Sequence, residues 1–384
     1  MSTSAFSRRQ LLALTTGGLA ALALPSSVLA APSASADQRY AVFVSNAKNG
    51  NLTSYLLDER TERLHLRGTM DAHAGTAPSA YWQKTHTFYV ANTNDKTISV
   101  YDFDPSTGTL TPRNTCHVDA GLVYISIDPS GKYLVGASYA EAKVVLFNLA
   151  ELSQVPKATP VASVGDIPHA HSAIFSHDGR FVYVASLLTH RLLGFRISAQ
   201  GQLVKIADEF ISPAFGTRHQ YLSQDGTRLY ADSEMTGQVA EFKRNTEDGT
   251  LSLIRVSKRP AILNELRDGI PDAVDSPEGT AGRRWTAQFH ASPDERFFFL
   301  SDRTTNTLFT LNSDLDYVSA VATEPQPRGF NISPDGRFIV ASGEMSTHVS
   351  LYRVNQRTGH LTRIQRVPGV SGDPNWVEIV PMGK

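Results

Sequence analysis

The chain has 384 residues, 36 Lys/Arg against 37 Asp/Glu and a formal net charge of -1, so it offers no electrostatic footprint for nucleic acid. Hydrophobic residues make up 41% of it, enough for a packed core, and its single cysteine, Cys116, excludes an intrachain disulfide and reads as a packed small hydrophobe. Length alone suggests two or three domains, but an internal repeat overrides that figure in favour of one closed domain.

The first segment is a targeting sequence. Ser7-Arg8-Arg9-Gln10-Leu11-Leu12 is a twin-arginine signature, followed by an apolar stretch from Leu11 to Leu24 and small-residue cleavage sites after Ala30 or Ala36. The stretch is short and is interrupted by Gly17, Gly18 and Pro25, which argues against a permanent membrane span. The expectation is a twin-arginine (Tat) signal peptide over residues 1–36, recognised by the Tat export machinery. Residues 37–384 then form a periplasmic domain with no membrane contact after cleavage. Loss of Arg8 and Arg9 with the leader takes the net charge from -1 to about -3.

The remainder is a recurring cassette of apolar strand, Asp-x-Gly-type turn, apolar strand, short polar loop, apolar strand, Gly-containing turn and Leu. Clear copies are His171–Leu203, His219–Leu251 and Gly329–Leu361. The residues before each second strand are Arg39, Thr85, Gly131, Gly179, Gly226, Glu295 and Gly336, at steps of 46, 46, 48, 47, 69 and 41. Most steps match the roughly 40–50 residues of a four-stranded propeller blade. The long step places an insertion within Arg259–Arg283, whose Pro and Gly content reads as a long loop. The Asp-Gly pairs are turns, not catalytic carboxylates, because Gly accepts positive φ without steric cost. The first repeat begins at its second strand, Tyr40–Ser45, and the missing first strand reappears as Trp376–Val380. The predicted fold is therefore an all-β, single seven-bladed β-propeller closed by pairing of the C-terminal strand with the N-terminal blade.

Superimposing the repeats locates a site. Residues eight before and eight after each turn lie at the same end of a blade, facing the mouth of the central channel. The eight-before positions are Ala77, Val123, His171, Arg218, Ala287 and Arg328, with Asn375 in the closure blade. The eight-after positions are Ala47, Thr93, Tyr139, Leu187, Glu234, Arg303 and Glu344. One mouth thus collects His171, Arg218, Glu234, Arg303, Arg328, Glu344 and Asn375, and His169, His219, Arg284, Trp285 and His290 lie close enough in sequence to join them. His169 and His171 could act as a pair, but no Cys cluster or His-Glu-x-x-His spacing supports zinc, and no Gly-x-Ser-x-Gly elbow supports a serine nucleophile. The set suits an acid/base assisted by arginine anion stabilisers, acting on a carbonyl without a cofactor.

The stretches His171–Asp178, Thr217-Arg218-His219, Asp232-Ser233-Glu234, Arg284-Trp285 with His290, Ser301–Thr304, Gln326–Asn331 and Asn375-Trp376-Val377 resemble the propeller-type bacterial 6-phosphogluconolactonases. They are similar also to the fungal carboxy-cis,cis-muconate lactonising enzyme. The resemblance covers the whole chain after the leader and is specific in blades four to seven. It implies cofactor-free lactone chemistry at the channel mouth, with catalytic roles for His171, Arg218, Glu234 and Arg303. The first expectation is a periplasmic hydrolase of an aldono-1,5-lactone such as glucono-1,5-lactone, in which His171 or Glu234 activates water. Arg218 and Arg303 polarise the carbonyl, and Arg328 and Glu344 orient the substrate. The alternatives are hydrolysis of 6-phosphogluconolactone with Arg284 or Arg328 on the phosphate, and a non-catalytic propeller binding a small anion at the same mouth. The polar, non-aromatic mouth favours a small anionic ligand over a protein partner.

Overall fold

The computed structural model describes residues 38–271 and 280–383. The leader and both of its candidate cleavage points lie outside the described residues, as does part of the insertion, residues 272–279. Seven four-stranded antiparallel sheets form the blades. Their inner strands are Pro374–Pro381, Thr76–Trp82, Leu122–Ile127, Ala170–Phe175, Thr217–Leu222, Thr286–Ala291 and Gly329–Ile332, and each packs on the next around a closed ring.

Closure is as the repeat pattern implies. Pro374–Pro381 pairs with Arg39–Asn46, from Tyr40 opposite Pro381 to Ser45 opposite Trp376. The alternation of the strand serves two cores at once. Val377 and Ile379 pack with Val42, Val44 and Val340 on one face, whereas Val380 packs with Phe43 and Phe88 on the other. Cys116 is fully buried in a separate cluster with Ile98 and Phe147.

The Asp-Gly segments are turns held by a recurring serine. Ser176 Oγ donates to Asp178 Oδ1 (2.6 Å) and accepts from Phe181 N (3.0 Å), while Gly179 sits at φ 68°. Ser223–Asp225, Ser292–Asp294 and Ser333–Asp335 repeat the arrangement, with Glu295 in the glycine's place at φ 57°. Each carboxylate is consumed within its own turn, which is why these aspartates have no part in a site. One helical turn, Leu149–Leu152, interrupts the third blade, capped by Asn148 Oδ1 accepting from Ala150 N (3.0 Å).

The inner strands share an irregularity that the repeat arithmetic did not contain. In six of them the pairing register slips by a β-bulge at the eight-before position: Ala77, Val123, His171, Arg218, Ala287 and Asn375. A bulge adds one unpaired residue and re-aims its side chain. The side chains chosen by sequence offset are therefore the ones released from strict in-and-out alternation at the channel mouth.

Candidate active site

The centre of the mouth is a buried chain of charges. Glu234 Oε2 accepts from Arg218 Nε (2.8 Å) and Arg303 Nη2 (2.9 Å). Glu344 continues the chain, with Oε1 accepting from Arg328 Nη1 (2.8 Å) and Oε2 at 4.0 Å from Arg303 Nη1. Arg218 and Arg303 are each only 2% exposed and Glu234 6%. Such ions are tolerated only when paired and hydrogen-bonded. Arg218 Nη1 also donates to the carbonyl of Ala287 and contacts the His219 ring (3.1 Å), and Arg303 donates to the carbonyls of Trp285 (3.3 Å) and Thr286 (3.2 Å). The Trp285 ring lies 3.6 Å from the Arg303 guanidinium, a cation–π contact that fixes its plane. Burial lowers Arg303 to about 10, opposed by Glu234 and Glu344, so it stays charged at neutral pH.

Two glycines let the pair Arg328–Glu344 form. A Cβ on Gly329 would lie 2.7 Å from the backbone carbonyl of Asn375, and one on Gly343 would lie 2.1 Å from Pro325 O. Any side chain there would push apart the segments that carry Arg328, Asn375 and Glu344.

His171 faces the same space. It is buried, and burial together with Arg218, Arg328 and Arg303 holds its pKa well below the ordinary histidine value. The imidazole is therefore neutral across the physiological range and able to accept a proton. Its Nδ1 and Asn375 Oδ1 are buried without a hydrogen-bond partner among the described residues, a cost that is uncommon away from functional sites. His219 packs edge-on against His171 (ring centroids 5.3 Å apart) and is lowered in the same way, by burial and Arg218. Beneath it, burial raises Asp232, whose Oδ1 accepts from His219 N (2.6 Å), to about 7.

Two adjoining cavities open here. The first, about 330 Å³, is polar and is bordered by His171, Arg218, His219, Arg328, Asp373 and Asn375. The second, about 590 Å³, includes Glu234, Arg303 and His169 in its wall. Thr93, Val123, His171 and Arg328 belong to both. The structure thus brings together His171, Arg218, Glu234, Arg303, Arg328, Glu344 and Asn375, with His169 at the side, where its ring stacks on Tyr139 (4.0 Å).

Two residues selected from sequence lie elsewhere. Arg284 turns away from both cavities. Its Nε donates to Leu263 O (2.8 Å) and its Nη1 pairs with Asp268, so it fastens the insertion to the propeller. Its neighbour Trp285 lines neither cavity and reaches the site only through its contact with Arg303. His290 lies deeper in the channel, against Phe330 and hydrogen-bonded to the Gln288 side chain (2.8 Å), and burial lowers it to about 4. Sequence reasoning passed over Asp373 and Lys48, both in the wall of the polar cavity. Asp373 stands at φ 68° in the loop before the closure strand, its pKa raised by burial and by Glu344. Lys48 lies one residue past Ala47 and Asp373 two before Asn375, so neither falls on the fixed offset.

A closed ring of seven four-stranded sheets with a largely buried Arg–Glu–Arg–Glu–Arg chain and a neutral histidine at one mouth defines an enzyme of the β-propeller class. The chain belongs to the lactonase family of seven-bladed β-propellers, whose sequence model matches residues 39–379. It is 32% identical over 267 residues to the 6-phosphogluconolactonase of Yersinia pestis, covering 67% of this chain and 73% of that protein. The Serratia proteamaculans 6-phosphogluconolactonase is 31% identical over 269 residues, with 67% and 74% coverage. Among solved structures, the periplasmic gluconolactonase of Pseudomonas aeruginosa superimposes with a TM-score of 0.73 at 21% identity, over 89% of this chain and 99% of that one. A Lactobacillus plantarum protein does so with a TM-score of 0.75, also at 21% identity and with 89% and 99% coverage.

Proposed function

We propose that the protein is an exported hydrolase that opens an aldono-1,5-lactone, glucono-1,5-lactone foremost, to the aldonic acid. The observation that carries this reading is a neutral buried imidazole, His171, sharing one cavity wall with arginines whose orientation is fixed by Glu234 and Glu344. His171 takes a proton from water as the water oxygen bonds to the lactone carbonyl carbon. Arg218, backed by Arg303, stabilises the oxyanion of the tetrahedral intermediate. Collapse breaks the bond to the ring oxygen, which receives the proton from the imidazolium, and the acid leaves as its carboxylate. Glu234 is the positioning residue in this scheme, because its Oε2 already accepts from two guanidiniums.

Hydrolysis of 6-phosphogluconolactone is the second reading, favoured by the names of the relatives at 31–32% identity. Two features weigh against it. Arg218, Arg303 and Arg328 each already face a carboxylate, and Arg284 is committed to Asp268. Lys48, exposed at the rim of the polar cavity, in turn faces Asp373. An exported protein, as the twin-arginine reading of the leader has it, would meet unphosphorylated lactones.

Acid release from both lactones side by side, corrected for spontaneous hydrolysis at each pH, tests these readings. Faster turnover of the phosphorylated lactone would select the second, and binding without turnover would leave a binding propeller. The pH profile tests the base. The active form is neutral His171, whose pKa is depressed, so kcat/KM should hold its plateau as pH falls through 6.5 and decline only in more acid solution. His171→Gln should lower kcat by roughly 10²–10⁴. A limb centred at or above 6.5, or parental turnover by that variant, would remove His171 from the role. For export, replacing Arg8 and Arg9 by lysine should leave the precursor in the cytoplasm, and unchanged periplasmic delivery would refute the twin-arginine reading.

A further inference from the structure

The second cavity is larger than the first and chemically unlike it. At about 330 Å³ the polar cavity already reaches the size of a small-ligand site, about 300–1,000 Å³, and so holds a single-ring aldonolactone without help. The second adds about 590 Å³. One side of its wall carries Glu234, Arg303, Arg328, His169, His171 and Thr93, and the other presents apolar carbon from Tyr139, Ala140, Ala142, Pro168, Leu188 and the shared Val123. Leu188, on the turn between the strands Phe181–Ser186 and Arg191–Ile197, is 37% exposed, whereas its neighbour Leu187 is fully buried. An apolar side chain left open to solvent inside a concavity gains when an apolar group covers it.

Resting on the reading of the mouth as a lactone-hydrolysing site, we propose that the site also takes amphipathic lactones, beyond the aldonolactone. The ring carbonyl lies at the walls common to both cavities, and an aliphatic chain of several carbons on the ring fills the apolar side of the second. A second sugar would be a poor occupant of the apolar side, since hydroxyls against alanine, valine, proline and leucine carbons lose water without gaining partners. Each methylene moved from water into such a wall favours binding and turnover by about fourfold. His171 and Arg328 belong to both cavities, so the reacting group and the chain can be engaged together.

The test is a series of 5-alkyl δ-lactones from methyl to heptyl, assayed for background-corrected kcat/KM beside glucono-1,5-lactone and cellobiono-1,5-lactone. The expected result is a rise of about fourfold per methylene until the cavity is full. Leu188→Asn, a neutral polar change on an exposed turn outside the polar cavity, should flatten that rise while leaving glucono-1,5-lactone turnover within about twofold. A flat alkyl series in the parent, or a gain confined to the glycosyl lactone, would overturn the proposal even with glucono-1,5-lactone turned over. Absence of turnover with every lactone would instead defeat the hydrolytic reading. Calorimetry with 5-heptyl δ-lactam then decides the cavity's ligand by itself. Binding tighter than that of unsubstituted δ-lactam and weakened by Leu188→Asn supports an apolar occupant, and equal affinities refute it.

Discussion

Replacing Arg218 by alanine is expected to lower background-corrected kcat/KM for lactone hydrolysis by about 10²–10³, the range for removal of one oxyanion donor. A neutral lactone carbonyl gains a full negative charge in the tetrahedral intermediate, so the guanidinium binds the transition state better than the ground state, and the loss should fall on kcat. Arg218→Lys should recover little of it. An ammonium keeps the charge but cannot hold Glu234 with Nε and at the same time present a fixed planar fork, as Arg218 does. Glu234→Gln should cost about 10² by a different route. The amide keeps an acceptor oxygen but loses the charge that holds Arg218 and Arg303 2.8 and 2.9 Å from one atom. The fold should survive Arg218→Ala, because Glu234 keeps Arg303, and Glu234→Gln, because Arg218 keeps the amide oxygen and the carbonyl of Ala287 as acceptors, as a thermal melt of each variant would show. Parental rates in both Arg218 variants would mean that the mouth binds but does not catalyse.

Deleting the chain from Trp376 onward should abolish cooperative folding. The closure strand buries Val377, Ile379 and Val380 in two different cores and covers the edge of Arg39–Asn46 along its whole length. Three such side chains at about 1.5–3 kcal/mol each amount to several kcal/mol, comparable with the roughly 5–15 kcal/mol that stabilises a whole domain. An opened ring also leaves an unpaired strand edge, so the truncated protein should self-associate. The measurement is a melt followed by circular dichroism together with light scattering. A monomeric truncation with the parent's transition would show that the ring does not depend on its closing strand.

Much of this was legible in the chain because propeller blades are near-copies. The spacing of Gly131, Gly179, Gly226 and Gly336 fixes blade length, and a fixed offset from those turns picks equivalent places in every blade. That offset selected His171, Arg218 and Arg328 on or just before inner strands and Glu234, Arg303 and Glu344 just after the next strands, and the strand match added Asn375; the structure gathers them at one mouth. The missing strand at Tyr40 and the spare one at Trp376 likewise require each other, since a strand edge demands a partner.

What the repeat cannot encode is whatever differs between blades. Which carboxylate meets which arginine depends on distances across the ring, and Glu234 lies between Arg218 of its own blade and Arg303 of the next. Direction also decided Arg284 and Trp285, neighbours in sequence that face opposite ways, one toward the insertion and one under a guanidinium. Protonation belongs to the assembled protein as well. A histidine reads the same anywhere in a sequence, but the neutrality of His171 comes from burial beside three arginines contributed by three different blades. The apolar side of the cavity beside it is formed by residues of modest individual character, Ala140, Ala142, Pro168 and Leu188, whose meaning arises only where separate loops converge.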